Sequence, residues 1–395
     1  MTTPFKPPLS SVVKPMVPKW VPPEPTKEDL DWADLHTIEL SLLDSPDPNV
    51  IENLVATTKH AIKYDGFLFL TEYGVSLDDL HRQFDLAQYL HQNITEKEKD
   101  ELLWDPSTGV FAGFKRAAGW KREAGKYDGI EQFNFYSPEF EDPNKVPKCI
   151  RPFLDEITAF CDYMEQSVTR RLLRLLSLVL ELPRDWLWDN VQSHGGVVGE
   201  GYFRHALFHP LRDHRKSTQG VRMYGHADYG TTTLLFSVAI TALQILGNDD
   251  KWRYVKYKPG ALVINLGQSL EIVSGGHFKA TLHRVAEPPE DQRHEQRLSL
   301  VLFNGSKGDM RLQPALESPL LQREDFVRRG SGVFHEFQRL MDAGVPVPTN
   351  KEWREANIST RVQAPPEERI GGVKDVNGVR YGHDVIMGVP VVLPA

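Results

Sequence analysis

Beyond residue 200 the chain breaks into short apolar runs separated by turns, and this texture limits the fold more than any other feature of the sequence. The runs are Thr232–Ser237, Ala242–Leu246, Trp252–Tyr257, Ala261–Gly267, Thr281–Val285 and Arg297–Gly305. They are rich in Val, Ile, Thr and aromatic residues and recur at roughly ten-residue spacing. Gly247-Asn248-Asp249-Asp250 and Lys258-Pro259-Gly260 punctuate them. Short, evenly spaced strands of this kind indicate an antiparallel sandwich or jelly roll. The first half reads differently. Helical spacing runs over Asn49–Lys63, and Phe67-Leu68-Phe69-Leu70 after Gly66 reads as a buried strand. Ser76 opens a helix to about Gln92, Thr95 with Glu98 forms a capping box, and a long helical stretch extends from about Arg151 to Leu182. Asp325–Met341 is the best helix near the end. The expected layout is a proline-rich arm (1–28), a mainly helical N-terminal region (29–200), a jelly-roll core (201–310) and a C-terminal helical cap and tail (311–395), all one catalytic unit.

Composition removes several function classes. The chain has 46 Lys and Arg against 54 Asp and Glu, a formal net charge of −8, and no basic block, which argues against a nucleic-acid partner. Cys149 and Cys161 are too few for a disulfide framework or a four-cysteine zinc site. No apolar run approaches the ~20 residues that span a bilayer, and the start has no charged-then-apolar signal pattern. The expectation is a cytoplasmic protein with no membrane association, acting on a small-molecule substrate, with the oligomeric state left open. Pro4, Pro7, Pro8, Pro15, Pro18, Pro22, Pro23 and Pro25 make the first segment an extended arm. A strap over the domain surface is expected there rather than an SH3-type ligand.

Histidine is the commonest metal ligand, and the chain has 14. Within the β region, Tyr224-Gly225-His226-Ala227-Asp228-Tyr229-Gly230 sets His226 and Asp228 two residues apart. In extended backbone such residues project to one side, so an imidazole and a carboxylate reach a common point. His283, inside Thr281-Leu282-His283-Arg284-Val285, is the third candidate ligand. Two histidines and one carboxylate form the facial triad that holds Fe(II) and leaves positions open for a chelating cosubstrate and O2. Arg297-Leu298-Ser299 repeats the two-residue spacing. A guanidinium and a hydroxyl on one strand face hold a carboxylate, such as the far end of 2-oxoglutarate. Each element alone is common by chance; their order within one strand pattern carries the inference.

With these residues in place, the chain resembles the 2-oxoglutarate- and Fe(II)-dependent oxygenases of the isopenicillin N synthase-like superfamily, over about residues 30 to 305. The likeness is strongest in Gly225–Gly230, Ala261–Gly267 and Gly276–Ser299, where Phe278-Lys279-Ala280-Thr281-Leu282-His283-Arg284-Val285 is similar to the distal-histidine signature. Asp65–Leu70 through Tyr73-Gly74-Val75 resembles the family's amino-terminal domain. The resemblance implies a mixed α and β fold, a double-stranded β-helix (jelly-roll) core wrapped by N-terminal and C-terminal helices. It implies His226, Asp228 and His283 as iron ligands, Arg297 and Ser299 as the 2-oxoglutarate clamp, and Fe(II), 2-oxoglutarate and O2 as the cofactors. The implied reaction is hydroxylation, desaturation or ring formation or rearrangement of a small organic molecule, in specialised-metabolite biosynthesis. Two departures stand out. The family's Asn-x-Tyr segment, which orients the cosubstrate, corresponds here to Ala206-Leu207-Phe208, without either polar group. The loop from His283 to Arg297 is long and charged, and its Arg293 is an alternative carboxylate partner.

By the same resemblance, Lys115 and Arg116 with Trp120-Lys121-Arg122 fall in the variable, substrate-facing segment, their cations either meeting an acidic substrate or forming only a solvated basic loop, and Phe303 and Asn304 at the end of the Arg297 run point toward the active site. The helix near Phe334–Met341 is a candidate to close the barrel mouth or to serve only as a structural cap. Gly195-Gly196 through Gly199 and Gly201 looks like a phosphate loop, but no strand–helix context supports it. Three other readings stay open: an iron-dependent oxidase without 2-oxoglutarate, like the isopenicillin-forming oxidase; a non-catalytic jelly-roll binding protein; and a zinc hydrolase.

Overall fold

Local signals set the helices of the first half. After β1 (Thr37–Glu39), Asp47 caps α1 (Pro48–Tyr64) by accepting from the Asn49 N–H, with Pro48 where a missing N–H costs nothing. Gly66, at φ +64°, turns the chain into β2 (Phe67–Thr71). Ser76 caps α2 (Leu77–Asn93) through the Asp79 N–H, and the reciprocal Thr95–Glu98 box opens α3 (Glu96–Glu101). β3 (Gly113–Lys115), β4 (Ile130–Phe135) and α4 (Ser137–Glu141) follow. The long helical stretch is α5 (Leu154–Tyr163) and α6 (Arg170–Val179), joined by a π turn at Met164–Thr169. It is followed by α7 (Trp186–Asn190). This computed structural model describes residues 3–9, 13–117, 129–194, 200–210, 221–329, 332–363, 373–376, 379–387 and 389–394. Trp120-Lys121-Arg122 and Gly195–Gly199 lie outside the described residues.

The strand-rich region supplies β5 (Tyr202–Phe208), β6 (Val221–His226), β7 (Thr232–Phe236), β8 (Leu243–Leu246), β9 (Trp252–Tyr254) and β10 (Leu262–Leu266). Then come α8 (Gln268–Val273), β11 (His283–Ala286) and β12 (Arg297–Phe303). All six expected runs are strands. Strands β5 and β6 are additional: Arg204 and His205 interrupt the apolar character of one, and Arg222 and Gly225 that of the other. The large sheet has the order β1-β2-β10-β7-β12-β5-β4-β3 and the small sheet β6-β11-β8-β9. Strands from the N-terminal region are therefore built into the large sheet.

The two sheets pack face to face, Phe67, Phe69 and Val263 of one against Leu243 and Ile245 of the other. Alternation along β12 makes the layering explicit. Leu298, Leu300 and Leu302 join the main core with Leu80 and Phe84 of α2, Ile157 and Phe160 of α5, and Leu172 and Leu176 of α6. Arg297, Ser299, Val301 and Phe303 point the other way, into the space between the sheets. The proline-rich arm lies on the surface as a strap. Phe5 meets Phe160 and Tyr163 edge-on at 5.6 and 5.4 Å, and Trp20 stacks on Phe84 at 4.3 Å.

The C-terminal region departs from expectation. The helix expected over Asp325–Met341 is instead α9 (Pro319–Glu324) and α10 (Val333–Asp342), separated by Asp325 at φ +59° and Gly332 at φ +95°. Both conformations lie in the left-handed region, which stops a helix. After α11 (Asn350–Gln363), the segment expected to be helical cap and tail carries an antiparallel sheet. It comprises β13 (Val373–Val376), β14 (Val379–Ile386) and β15 (Val389–Pro394), in line with its many β-branched residues. No helix among the described residues is long and apolar enough to cross a membrane.

Candidate active site

β6 and β11 are neighbours in the small sheet, and their antiparallel register places His283 directly opposite His226, ring centroids 4.4 Å apart. Asp228 follows just beyond β6. The three residues each offer one ligand atom within 4.8 Å of the others. His226 Nε2 lies 3.7 Å from Asp228 Oδ1, and His283 Nε2 lies 3.8 Å from Asp228 Oδ2. Local backbone presses this loop into place. A Cβ on Gly267 would collide with the Gly230 carbonyl, and one on Gly230 with that of Asn304. The first N–H groups of α8, from Gln268 and Ser269, donate to the Asp228 and Tyr229 carbonyls at 2.8 and 3.1 Å.

The groups around the triad fix the direction of its side chains. Asp228 Oδ2 accepts from Thr233 Oγ1 at 2.6 Å and from Asn265 Nδ2 at 2.8 Å, which leaves Oδ1 available. His283 Nδ1 is 3.2 Å from the Thr281 carbonyl oxygen; donating there turns an unprotonated Nε2 toward the shared point. Burial pushes the Asp228 carboxyl up, but the facing His283 and His226 and these two hydrogen bonds outweigh it and hold it below the usual carboxylate range. Two imidazoles and one carboxylate oxygen converging from one side suit octahedral Fe(II) with open positions.

Arg297 and Ser299 line the same cavity as the triad, with Phe67, Gln132, Arg204 and Val301. Arg297 is buried, its Nε donating to the Ile240 carbonyl at 3.4 Å and its guanidinium 5.2 Å from the Phe208 ring. No carboxylate among the described residues pairs with it. Burial and the nearby Arg222 push its guanidinium down to about 10. A buried cation with no counter-ion, facing a cavity, fits an anionic ligand. Ala206 and Phe208 pair with Ser299 and Arg297 across β5 and β12, so the wall opposite the clamp carries no polar group at either position. Arg293, the alternative carboxylate partner, is exposed and does not line the cavity that holds the triad.

A second cavity meets the first at Asp228, Thr233 and Phe303, and is lined by Phe111, Tyr136, Tyr202, Tyr229, Asn304 and Arg354. Phe303 and Asn304 thus sit beside the triad. Lys115 and Arg116 do not. Lys115 is fully buried, with Nζ donating to the Ile130 carbonyl at 2.9 Å, and Arg116 binds Glu96 and Asp100 of α3 at 2.5 and 2.8 Å. Other cations line the two cavities, Arg204 the first beside Arg297, and Arg354 the second. Arg204 on β5 lies over the Tyr202 and Phe303 rings at 5.1 and 5.0 Å and donates to Asn134 Oδ1 at 2.8 Å and Tyr202 Oη at 3.0 Å. Arg354 on α11 is ion-paired with Glu200, which also lines the cavity. Of the two roles open to the helix near Phe334–Met341, closing helix or structural cap, α10 fits the cap, packing into its own apolar cluster through Phe334 and Phe337, while α11 lines the second cavity through Asn350, Arg354 and Ile358.

Residues 202–306 match the family model described as the 2OG-Fe(II) oxygenase superfamily. Jasmonate-induced oxygenase 3 of Arabidopsis thaliana is 30% identical over 159 residues, a match spanning 40% of this chain and 41% of that protein. Among solved structures, a full-length Neurospora crassa protein in complex with alpha-KG and 5-formyluracil superimposes with a TM-score of 0.67. It is 17% identical and the match covers 84% of this chain and 99% of that one. JOX2 in complex with 2OG, Fe and JA gives a TM-score of 0.63 at 20% identity, covering 87% of this chain and 89% of that one. The fold is shared with both of these solved structures.

Proposed function

We propose that this chain is a member of the 2OG-Fe(II) oxygenase superfamily, whose model its residues 202–306 match, and that it oxidises a small organic molecule bearing a carboxylate or similarly acidic group, in specialised-metabolite biosynthesis. When bound, Fe(II) and 2-oxoglutarate supply an oxidant for C–H bonds, O2 being consumed as 2-oxoglutarate loses CO2 to give succinate. His226, Asp228 and His283 would hold the metal, with Thr233 and Asn265 fixing the carboxylate. Arg297 and Ser299 would hold the far carboxylate of the cosubstrate, and the lack of a counter-ion at Arg297 among the described residues favours this over an oxidase that works without 2-oxoglutarate. Phe67, Leu235 and Val301 line the same space and exclude water.

The observation that carries the substrate class is Arg204. It is buried, its hydrogen-bond partners among the described residues are the neutral Asn134 and Tyr202, and it faces the cavity that contains the triad. Arg354 adds a second guanidinium on the aromatic side, and Glu200 neutralises it until an acidic substrate displaces that pair. Tyr202, Phe303, Tyr136 and Phe111 offer a flat apolar surface for the rest of the molecule. The solved neighbours hold ligands of comparable size, JA in one and 5-formyluracil in another. Hydroxylation, desaturation and ring formation share the first oxidation, and the placement of the substrate carbon decides among them.

The test begins with anaerobic addition of Fe(II) and then 2-oxoglutarate, read by the visible metal-to-ligand charge-transfer band. Succinate release is then followed across a panel of carboxylic acids and their methyl esters. The expected outcome is a band, and faster succinate release with acids than with esters. Iron binding without a band refutes the cosubstrate assignment, and equal stimulation by acids and esters refutes the substrate class.

A further inference from the structure

The cosubstrate cavity contains one polar group that serves no structural purpose. Gln132, on β4, is 0% exposed, and neither its Nε2 nor its Oε1 has a hydrogen-bond partner. Buried amides are almost always paired in folded proteins, and an apolar side chain of the same shape would be more stable at such a site. The register places it with care. Gln132 pairs with Ala206 on β5, and Ala206 pairs with Ser299 on β12, so the three form one row across the inner face of the large sheet. The residue between Gln132 and the clamp in this row is Ala206, whose methyl group offers no hydrogen bond to either. The neighbouring polar residue of β4 is already engaged: Asn134 accepts from Arg204 and donates to the Phe111 carbonyl. Gln132 also lines only the cavity that holds the triad, Arg297 and Ser299, and not the aromatic cavity beside it.

We propose that Gln132 binds 2-oxoglutarate, its Nε2 donating to a carboxylate oxygen of the cosubstrate, and so supplies from β4 the polar contact missing from the β5 wall at Ala206 and Phe208. This rests on the assignment of Arg297 and Ser299 as the clamp. An amide suits the position because Arg297 already provides the charge, and a neutral donor adds direction without a second buried cation.

The experiment titrates 2-oxoglutarate anaerobically into the Fe(II)-loaded full-length protein and reads the charge-transfer band. In Gln132→Leu the dissociation constant for 2-oxoglutarate should rise about tenfold, and in Gln132→Glu further, because a carboxylate would face a dianion. Iron affinity should stay within twofold. The melting temperature of Gln132→Leu without cosubstrate should be unchanged or raised, which a packing role would not allow. Ala206→Asn in the Gln132→Leu background returns an amide to the same row and should recover most of the lost affinity. A Gln132→Leu variant that binds 2-oxoglutarate as wild type does, or loses affinity only alongside a fall in melting temperature, overturns the assignment. A wild-type protein that binds iron yet gives no band overturns instead the cosubstrate reading beneath it.

Discussion

Replacing Thr233 with valine removes one hydrogen bond and almost nothing else. The two side chains have nearly the same shape, and Thr233 is buried on β7 with Oγ1 donating to Asp228 Oδ2 at 2.6 Å. In the variant, Asn265 Nδ2 at 2.8 Å is left as the one side-chain donor to that oxygen. A hydrogen bond to a charged carboxylate is worth about 1.5–3 kcal/mol. Because Asp228 borders a cavity, water replaces part of the lost bond, which places the effect near the lower figure, about tenfold in an equilibrium constant. The loss falls on metal binding, since the bond holds Oδ1 toward the point that His226 and His283 share; partners of metal ligands typically account for about 10–100-fold in affinity. Competition with a chromophoric chelator under anaerobic conditions should show the Fe(II) dissociation constant of T233V raised about tenfold. Asn265→Leu should behave alike, and the double variant should lose more than the two combined, because Oδ2 is then orphaned. At saturating iron, 2-oxoglutarate affinity should stay near wild type. Iron affinity within twofold of wild type in T233V, in a protein where Asp228→Ala abolishes binding, would show that Asp228 is not oriented through Oδ2.

Two further outcomes follow from groups outside the triad. Glu165 lies in the π turn with both oxygens unbonded and is 4.0 Å from His194 Nδ1; burial, helped by Asp162, pushes its carboxyl from 4.5 up to about 8. A folded-state value above the unfolded one gives stability that is full below about pH 4.5 and lost as pH rises through about 8. Glu165→Gln should therefore match wild type in melting temperature at pH 5 and exceed it at pH 9, and parallel profiles would contradict the burial argument. Trp353 is fully buried, donates from Nε1 to Gln268 Oε1 at 3.0 Å and meets Phe337 edge-on at 5.1 Å, so it anchors the helix that carries Arg354. Trp353→Ala should cost about 3–5 kcal/mol by denaturant unfolding. It should also raise the substrate KM while leaving 2-oxoglutarate affinity in place, and an equal change in both would place α11 outside the substrate site.

What could be read from the sequence, and what could not, follows from where each kind of information is stored. His226 with Asp228, and Arg297 with Ser299, are legible because a two-residue spacing in extended chain fixes a shared direction without knowledge of any other strand. Thr233, Asn265 and Gln132 are ordinary residues whose roles exist only through register: β10 against β7 brings Asn265 level with Thr233, and β4 against β5 brings Gln132 level with Ala206. No local pattern reports that. Lys115 and Arg116 are suggested by charge and by the family likeness of their segment, but neither carries a direction. Lys115 turns to a backbone carbonyl and Arg116 to α3, while Arg204 of β5 and Arg297 of β12 line the triad cavity and Arg354 of α11 the aromatic one. The same reasoning explains why β5 was the harder strand to see. Its apolar alternation is broken by Arg204, and Arg204 breaks it because that face of the strand looks into the site. A polar residue that interrupts a strand is thus itself a signal of function, but it can be interpreted only once the inner face of the sheet is known, and for Gln132 and Arg204 that face is set by partners far away in the chain.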